Sequence, residues 1–311
     1  MNVQQIDYIL AVAELRHFGR AAEQCNITQS TISTMVARFE EELGLLLFDR
    51  KQKPVVLTKE GEEVIRQLYV VRKELENLNE QVRSLKGEGR SELKIGIIPT
   101  IGPYLLPLFL NSFVNNYPDI RFEVSEVTTE EIVSNILSRD LDIGIVSIPL
   151  RNPAISEYFL YDEPFLCFDQ DIKKESSNYR VSELDYDRLW LLGEGHCMRT
   201  QVEKICAFQQ SRPLSRNLNY KSATINTLIK FVKNSKGVTL LPFLATLDLT
   251  LEEKETLYNF EAPVPCRSVG VIVHRHFTKR GLLESLQQHI LECVSPRLPI
   301  VQKAYFPIDP V

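Results

Sequence analysis

The chain has a single tryptophan, three methionines and no apolar run near the ~20 residues that cross a bilayer, which excludes a helical membrane protein. It has no low-complexity tract. With 44% hydrophobic and 25% charged residues it is not a disordered chain but a globular one. A basic surplus is also missing: 36 Lys and Arg stand against 41 Asp and Glu, for a net charge of -5. Any contact with nucleic acid must therefore rest on charge gathered locally. The opening stretch is apolar only at amphipathic spacing and carries acids early, unlike a signal or transit peptide. The cytoplasm is the expected compartment. There, six cysteines without CxxC pairs read as thiols rather than as a disulfide framework. A length of 311 residues exceeds one ordinary core, so two or three domains are expected.

Ile6, Ile9, Leu10 and Ala13 recur at helical spacing and predict a first helix ending near Arg16. A short helix over Gly19–Cys25 follows, where Ala21 and Ala22 admit another backbone closely. Asn26-Ile27-Thr28 forms a turn. Thr28 is the expected N-cap of a helix from Gln29 to about Leu43, with Ile32, Val36, Phe39 and Leu43 buried. Gln29, Ser30, Thr31, Ser33, Thr34 and Arg38 are left toward solvent. Short hydroxyls and amides there suit a recognition helix hydrogen-bonding base edges and phosphates in a major groove. Arg50, Lys51 and Lys53 precede the apolar Val55-Val56-Leu57, as in a wing whose cations meet phosphates. A small helical bundle with a solvated basic loop is the alternative. From Thr58 onward Val64, Leu68, Val71, Leu75, Leu78, Val82 and Leu85 alternate by four and three, a heptad seam that calls for a partner helix. The alternative is packing on its own domain. Residues 87–91 read as a hinge.

Arg20-Ala-Ala-Glu-Gln-Cys-Asn-Ile-Thr-Gln-Ser-Thr-Ile-Ser, Glu41-Glu-Leu-Gly-Leu-Leu-Leu-Phe-Asp-Arg50 and Leu57-Thr-Lys-Glu-Gly61 together resemble the N-terminal domain of LysR-type regulators. The resemblance implies a winged helix-turn-helix over 1–58 and a coiled-coil linker helix over 59–86. A two-lobed, periplasmic-binding-protein-like α/β regulatory domain would cover 92–311. Lobe I would span about 92–162 and 266–295, and lobe II about 163–265. Promoter DNA and RNA polymerase are the implied partners, with a homodimer through the linker and a homotetramer above it.

Behind residue 92, strands at Leu93–Ile97, Ile120–Val124 and Asp142–Val146 alternate with helices at Tyr104–Asn115 and Thr129–Arg139. This predicts an α/β unit with a mainly parallel sheet. The pattern restarts with strands at Phe165–Phe168 and Leu189–Leu192 and helices near 198–210 and 223–232. It closes with Gly237–Pro242, a strand at Ser268–Val273 and a helix at Lys279–Cys293. Two lobes joined by two crossings leave a cleft at strand C-terminal ends, where Thr100 and Thr129 sit. Either hydroxyl could instead cap the helix that follows it.

Gly193-Glu-Gly-His-Cys-Met-Arg-Thr-Gln201, with Cys206 beyond, stands apart. A helix start after a glycine-bounded loop would place amide donors on a Cys197 thiolate, with His196 and Arg199 adding donors or positive charge. If Cys197 and Cys206 share one helix they lie ~13 Å apart along its axis. A disulfide needs Cα atoms within ~7 Å, so joining them would refold the segment. Inert core thiols, the reading given to Cys25, Cys167 and Cys293, are the simpler possibility, and a zinc site lacks its fourth ligand.

Ile98-Pro-Thr-Ile-Gly-Pro-Tyr-Leu-Leu-Pro107 and Gly195-His-Cys-Met-Arg-Thr-Gln201 with Cys206 are further similar to hydrogen-peroxide-sensing members of that family. By this resemblance Cys197 is the peroxidatic and Cys206 the resolving cysteine. Thr100, Thr129 and His196 line the peroxide site, with Arg267 as a thiolate-stabilising cation. No cofactor or metal is implied. The expected protein is then a peroxide-activated regulator of oxidative-stress genes, not an enzyme. Its rivals are a LysR-type regulator binding a small organic anion in the cleft and a thiol peroxidase. The flanks of Arg267, residue Glu194 and the stretch Pro299–Val311 depart from the pattern.

Overall fold

A computed structural model describes residues 2–85, 91–171, 178–193, 195–207, 224–299 and 304–310. The chain divides into two compact units, one of Met1–Ser91 with Leu137–Asp140 and one of Glu92–Ile136 with Leu141–Val311. The predicted hinge lies outside the described residues apart from Ser91. No helix among them is long and apolar enough to cross a membrane.

The first unit runs α1 (Val3–Leu15), α2 (Phe18–Gln24), α3 (Gln29–Leu43), β1 (Phe48–Asp49), β2 (Val56–Leu57) and α4 (Lys59–Leu85). Asn2 caps α1 through a reciprocal pair with Gln5, and Thr28 caps α3 through the Thr31 amide. Ala21 and Ala22 are buried where α2 meets its neighbours, in one core with Ile9, Leu10, Ile32, Val36 and Phe39. β1 and β2 pair antiparallel as the wing. Gly61 lies so close to the Leu47 carbonyl that a Cβ would stand 2.2 Å from its oxygen, which explains the glycine in the first turn of α4.

Two readings of this unit need correction. Leu43 is 40% exposed, and Glu40 is buried in its place. The Glu40 carboxylate accepts from the Leu47 and Phe48 amides and from Arg50, so α3 docks the wing by a charge rather than by another leucine. The seam of α4 is also divided. Leu68 is buried in this unit's own core, with Val64 and Val71 packed on it, whereas Leu78 and Val82 are exposed. Among the described seam residues, the exposed apolar positions Leu78 and Val82 both lie in the distal half.

The second unit opens with β3 (Ser91–Ile97), α5 (Gly102–Asn115), β4 (Ile120–Glu126), α6 (Thr129–Leu137) and β5 (Ile143–Ile148). It continues through β6 (Ile155–Asp169), β7 (Asn178–Tyr179), α7 (Cys197–Ala207), α8 (Ile225–Ser235) and β8 (Val238–Pro242). It closes with α9 (Phe243–Thr246), α10 (Leu251–Lys254), β9 (Leu257–Phe260), β10 (Val264–His274), α11 (Arg280–Val294) and β11 (Tyr305–Pro307). The strand order is β4-β3-β5-β10-β6-β9-β7, with β11 on β10 and β8 on β6.

The expected parallel sheet is in fact mixed. β3 and β5 run parallel, but β10 lies antiparallel to both β5 and β6, and β6 antiparallel to β8 and β9. β6 is a single 15-residue strand. Its first part pairs with β10 and its last part with β8 and β9, so it threads both ends of the sheet. Leu189–Leu192 is not a strand; Leu189 makes only an isolated bridge to Val238.

Candidate functional site

On α3, Gln29, Ser30, Thr34 and Arg38 are exposed, while Thr31 and Ser33 are half-buried. Several of these hydroxyls are already engaged. The Thr28 hydroxyl bonds those of Ser30 and Thr31, and Thr34 donates to the Ser30 carbonyl. Gln29 is therefore the most available amide for a base edge. Arg50, expected as a phosphate contact, also holds the fold together. Its guanidinium lies 2.7 Å from the Glu40 carboxylate, reaches Ser33 at 3.4 Å and covers the Phe18 ring. That geometry ties α3 to the wing while leaving the side chain 39% exposed. Lys53 is exposed. Lys53→Ala is expected to lower the salt slope of DNA affinity by about one unit with base preference intact, whereas Gln29→Ala should change the preference. Titration of two operators over a salt series checks both.

Strand ends position the second site. β3 and β5 pair in parallel through Ile97 and Ile145, so Thr100 and Ser147 emerge at neighbouring C-terminal ends. The Thr100 hydroxyl does not cap α5, and the Thr128 hydroxyl, not that of Thr129, accepts from the first turn of α6. The capping alternative thus fails for both threonines. Thr129 Oγ1 is buried without a hydrogen-bond partner among the described residues, a polar atom left to meet something else.

Arg267 is 1% exposed and stands opposite Glu163 in the pairing of β10 with β6. Its Nε donates to Glu163 Oε2 at 2.8 Å, its Nη1 to Thr100 Oγ1 at 3.1 Å and its Nη2 to the Thr100 carbonyl at 3.0 Å. The other Glu163 oxygen accepts from the Leu244 amide at 2.7 Å. Arg267, expected as a thiolate-stabilising cation, is ion-paired with Glu163 and holds both the hydroxyl and the carbonyl of Thr100. Because Thr100 Oγ1 accepts from Arg267, its own proton remains available for donation. Glu163 was not among the sequence candidates; its only signal was an acidic pair, Asp162-Glu163, set directly before the apolar run Pro164–Phe168.

Cys197 begins α7 after Gly195, whose φ of 89° lies in the left-handed region that favours glycine. Glu194 falls outside the described residues. The Cys197 thiol is half-buried, and its Sγ lies 3.8 Å from Ser147 Oγ, a fully buried hydroxyl. Ser147 was also missed, although a hydroxyl inside the apolar strand Ile-Gly-Ile-Val-Ser-Ile was a legible sign.

Of the two residues expected to add donors or positive charge beside the thiol, each is engaged or shifted. Partial burial lowers the His196 pKa below its usual range, which favours the uncharged ring. Arg199 is committed to Glu203 at 2.9 Å and to the Leu192 carbonyl. Cys206 lies in the same helix as Cys197, which meets the condition for a separation of ~13 Å. Two other thiols are disfavoured as nucleophiles. Burial, then Asp162, pushes Cys266 up to about 12, and burial, Asp7 and Glu14 raise Cys25.

Residues 3–62 match the bacterial regulatory helix-turn-helix protein, lysR family, and residues 86–293 match the LysR substrate binding domain. A hydrogen peroxide-inducible genes activator of Dickeya chrysanthemi is 31% identical over 94% of this chain and 95% of its own length. The DNA-binding transcriptional dual regulator OxyR of Escherichia coli is 30% identical over 93% and 95%. Among solved structures, a full-length OxyR cysteine-to-aspartate variant from Pseudomonas aeruginosa superposes with a TM-score of 0.67 at 30% identity, covering 94% of this chain and 98% of that one.

Proposed function

The chain belongs to the LysR family of DNA-binding transcriptional regulators, which are not enzymes, and on that premise we propose that it is a peroxide-responsive activator switched by Cys197 and Cys206. Cys197 sulfur attacks one peroxide oxygen and the O–O bond breaks. Water leaves with the thiol proton, and a sulfenic acid remains. Cys206 sulfur then displaces the sulfenic hydroxyl. An S–S bond forms, the S–O bond breaks and a second water departs. The observation that carries the reading is that both cysteines lie in α7, too far apart to bond while it is helical. Oxidation must therefore unwind the helix, and the refolded segment alters the packing that spaces the DNA-binding units. Thr100, Thr129 and Ser147 supply hydroxyls for the peroxide and the reacting sulfur. The exposed Leu78 and Val82 on α4 support dimerisation along its distal half, with tetramers assembled from such dimers.

The organic-anion alternative has less support, because the buried Arg267 is already neutralised by Glu163. Mass spectrometry of the purified protein before and after a brief peroxide pulse tests the proposal. A mass loss of two hydrogens on a peptide pair linking Cys197 to Cys206 is expected. Unmodified thiols at both positions, with a tightly bound metabolite, would sink it.

A further inference from the structure

We infer that Ala304–Pro310 is a latch on α7, setting how readily the helix opens and hence how fast Cys206 can reach Cys197. The inference rests on the thiol-switch reading above. The anchor of this segment is backbone pairing. β11 runs parallel to β10, with the Val264 amide donating to the Ala304 carbonyl and the Ile308 amide to the Cys266 carbonyl, both at 2.9 Å. From that anchor the chain turns onto α7. The fully buried Gln201 donates its Nε2 to the Ile308 carbonyl at 2.8 Å, and Lys204 Nζ reaches the Asp309 carbonyl at 3.3 Å. Arg151, from the segment between β5 and β6, pairs with the Asp309 carboxylate. The side chains of Ile308 and Pro310 are buried. Beside them Ile205, Pro263, Phe306 and Ile308 line an apolar cavity of about 450 Å³, with Arg180 and Glu261 also on its wall.

These contacts fall on the stretch that must unwind. Gln201 and Lys204 lie between the two cysteines, and each holds a backbone carbonyl of the latch. When α7 opens, both bonds break and Ile205 loses its apolar neighbours. The latch therefore acts on the second step, closure of the disulfide, and not on the first, the attack of Cys197 on peroxide. Its hold is reversible because β11 is only three residues long and meets β10 along one edge.

Three proteins test this: the unaltered chain, a truncation ending at Leu298, and Gln201→Met, which removes the donor at similar volume. Losing these hydrogen bonds should reduce amide-exchange protection of α7 by about tenfold, with α11 unchanged. Sulfenic acid at Cys197, trapped with a dimedone-type probe, should form at the same rate in all three. Disulfide closure should be faster in both variants. Undiminished α7 protection in both overturns the latch. Lower protection with unchanged closure overturns its control of the switch. Lower protection with no disulfide in any of the three overturns the thiol-switch reading and leaves the latch as a structural clamp.

Discussion

Cys197→Ser is expected to lose the whole peroxide response while keeping reduced-state DNA binding. A hydroxyl has almost no anionic fraction near neutrality, so it does not attack peroxide. The loss should be complete rather than graded, because Cys25 and Cys266 are pushed away from the thiolate form by burial and neighbouring acids and cannot substitute. Cys206→Ser should differ: sulfenic acid still forms at Cys197, but the helix is not held open. Thr100→Val should fall between them, since it removes a positioned hydroxyl while nearly preserving shape. Trapped sulfenic acid and reporter transcription, followed together, separate the three. A normal peroxide response in Cys197→Ser would overturn the mechanism and return the organic-anion reading.

Arg267→Ala is expected to be the most destabilising single change in the second unit, costing about 3–5 kcal/mol, because it leaves the Glu163 carboxylate buried and uncompensated. Arg267→Lys should recover little. One ammonium cannot satisfy Glu163, the Thr100 hydroxyl and the Thr100 carbonyl with the same geometry. Replacing the pair together, Arg267→Met with Glu163→Leu, should restore much of the stability but not the oxidation rate, since Thr100 loses its holder. Urea unfolding gives the first quantity and sulfenic trapping the second. Equal loss in the single and double variants would show that the ion pair is not what the fold depends on.

The parts legible in the sequence were those governed by local chemistry. α3 was read at its true bounds because Thr28 is a side-chain cap and Ile32, Val36 and Phe39 keep one helical face. The cysteine helix was read closely because glycine precedes it and its apolar positions recur. What escaped was set by partners far along the chain. Glu40 is buried because amides seven and eight residues later need an acceptor, a demand with no periodicity. Most of β6 was missed because Glu157, Asp162 and Glu163 break its apolar pattern. Those acids are met by the Leu150 and Arg151 amides, by Ser268 and by Arg267 respectively. β11 was missed because its pairing is through the backbone and its side chains carry little alternation. Within the site, Thr100 was identified but its holder's role was not, since neutralisation of Arg267 depends on a strand 104 residues away.

The division of α4 also has a mechanical consequence. Its 27 residues make a rod about 40 Å long. At one end Leu68, Val64 and Val71 pack it into the body that carries α3 and the wing. The rod is thus a lever arm. A tilt of about 5° at its far end displaces the packed end by about 3.5 Å, close to one base-pair rise of ~3.4 Å. Under the proposed switch, register on an operator would shift by a whole step without any change inside the DNA-reading domain.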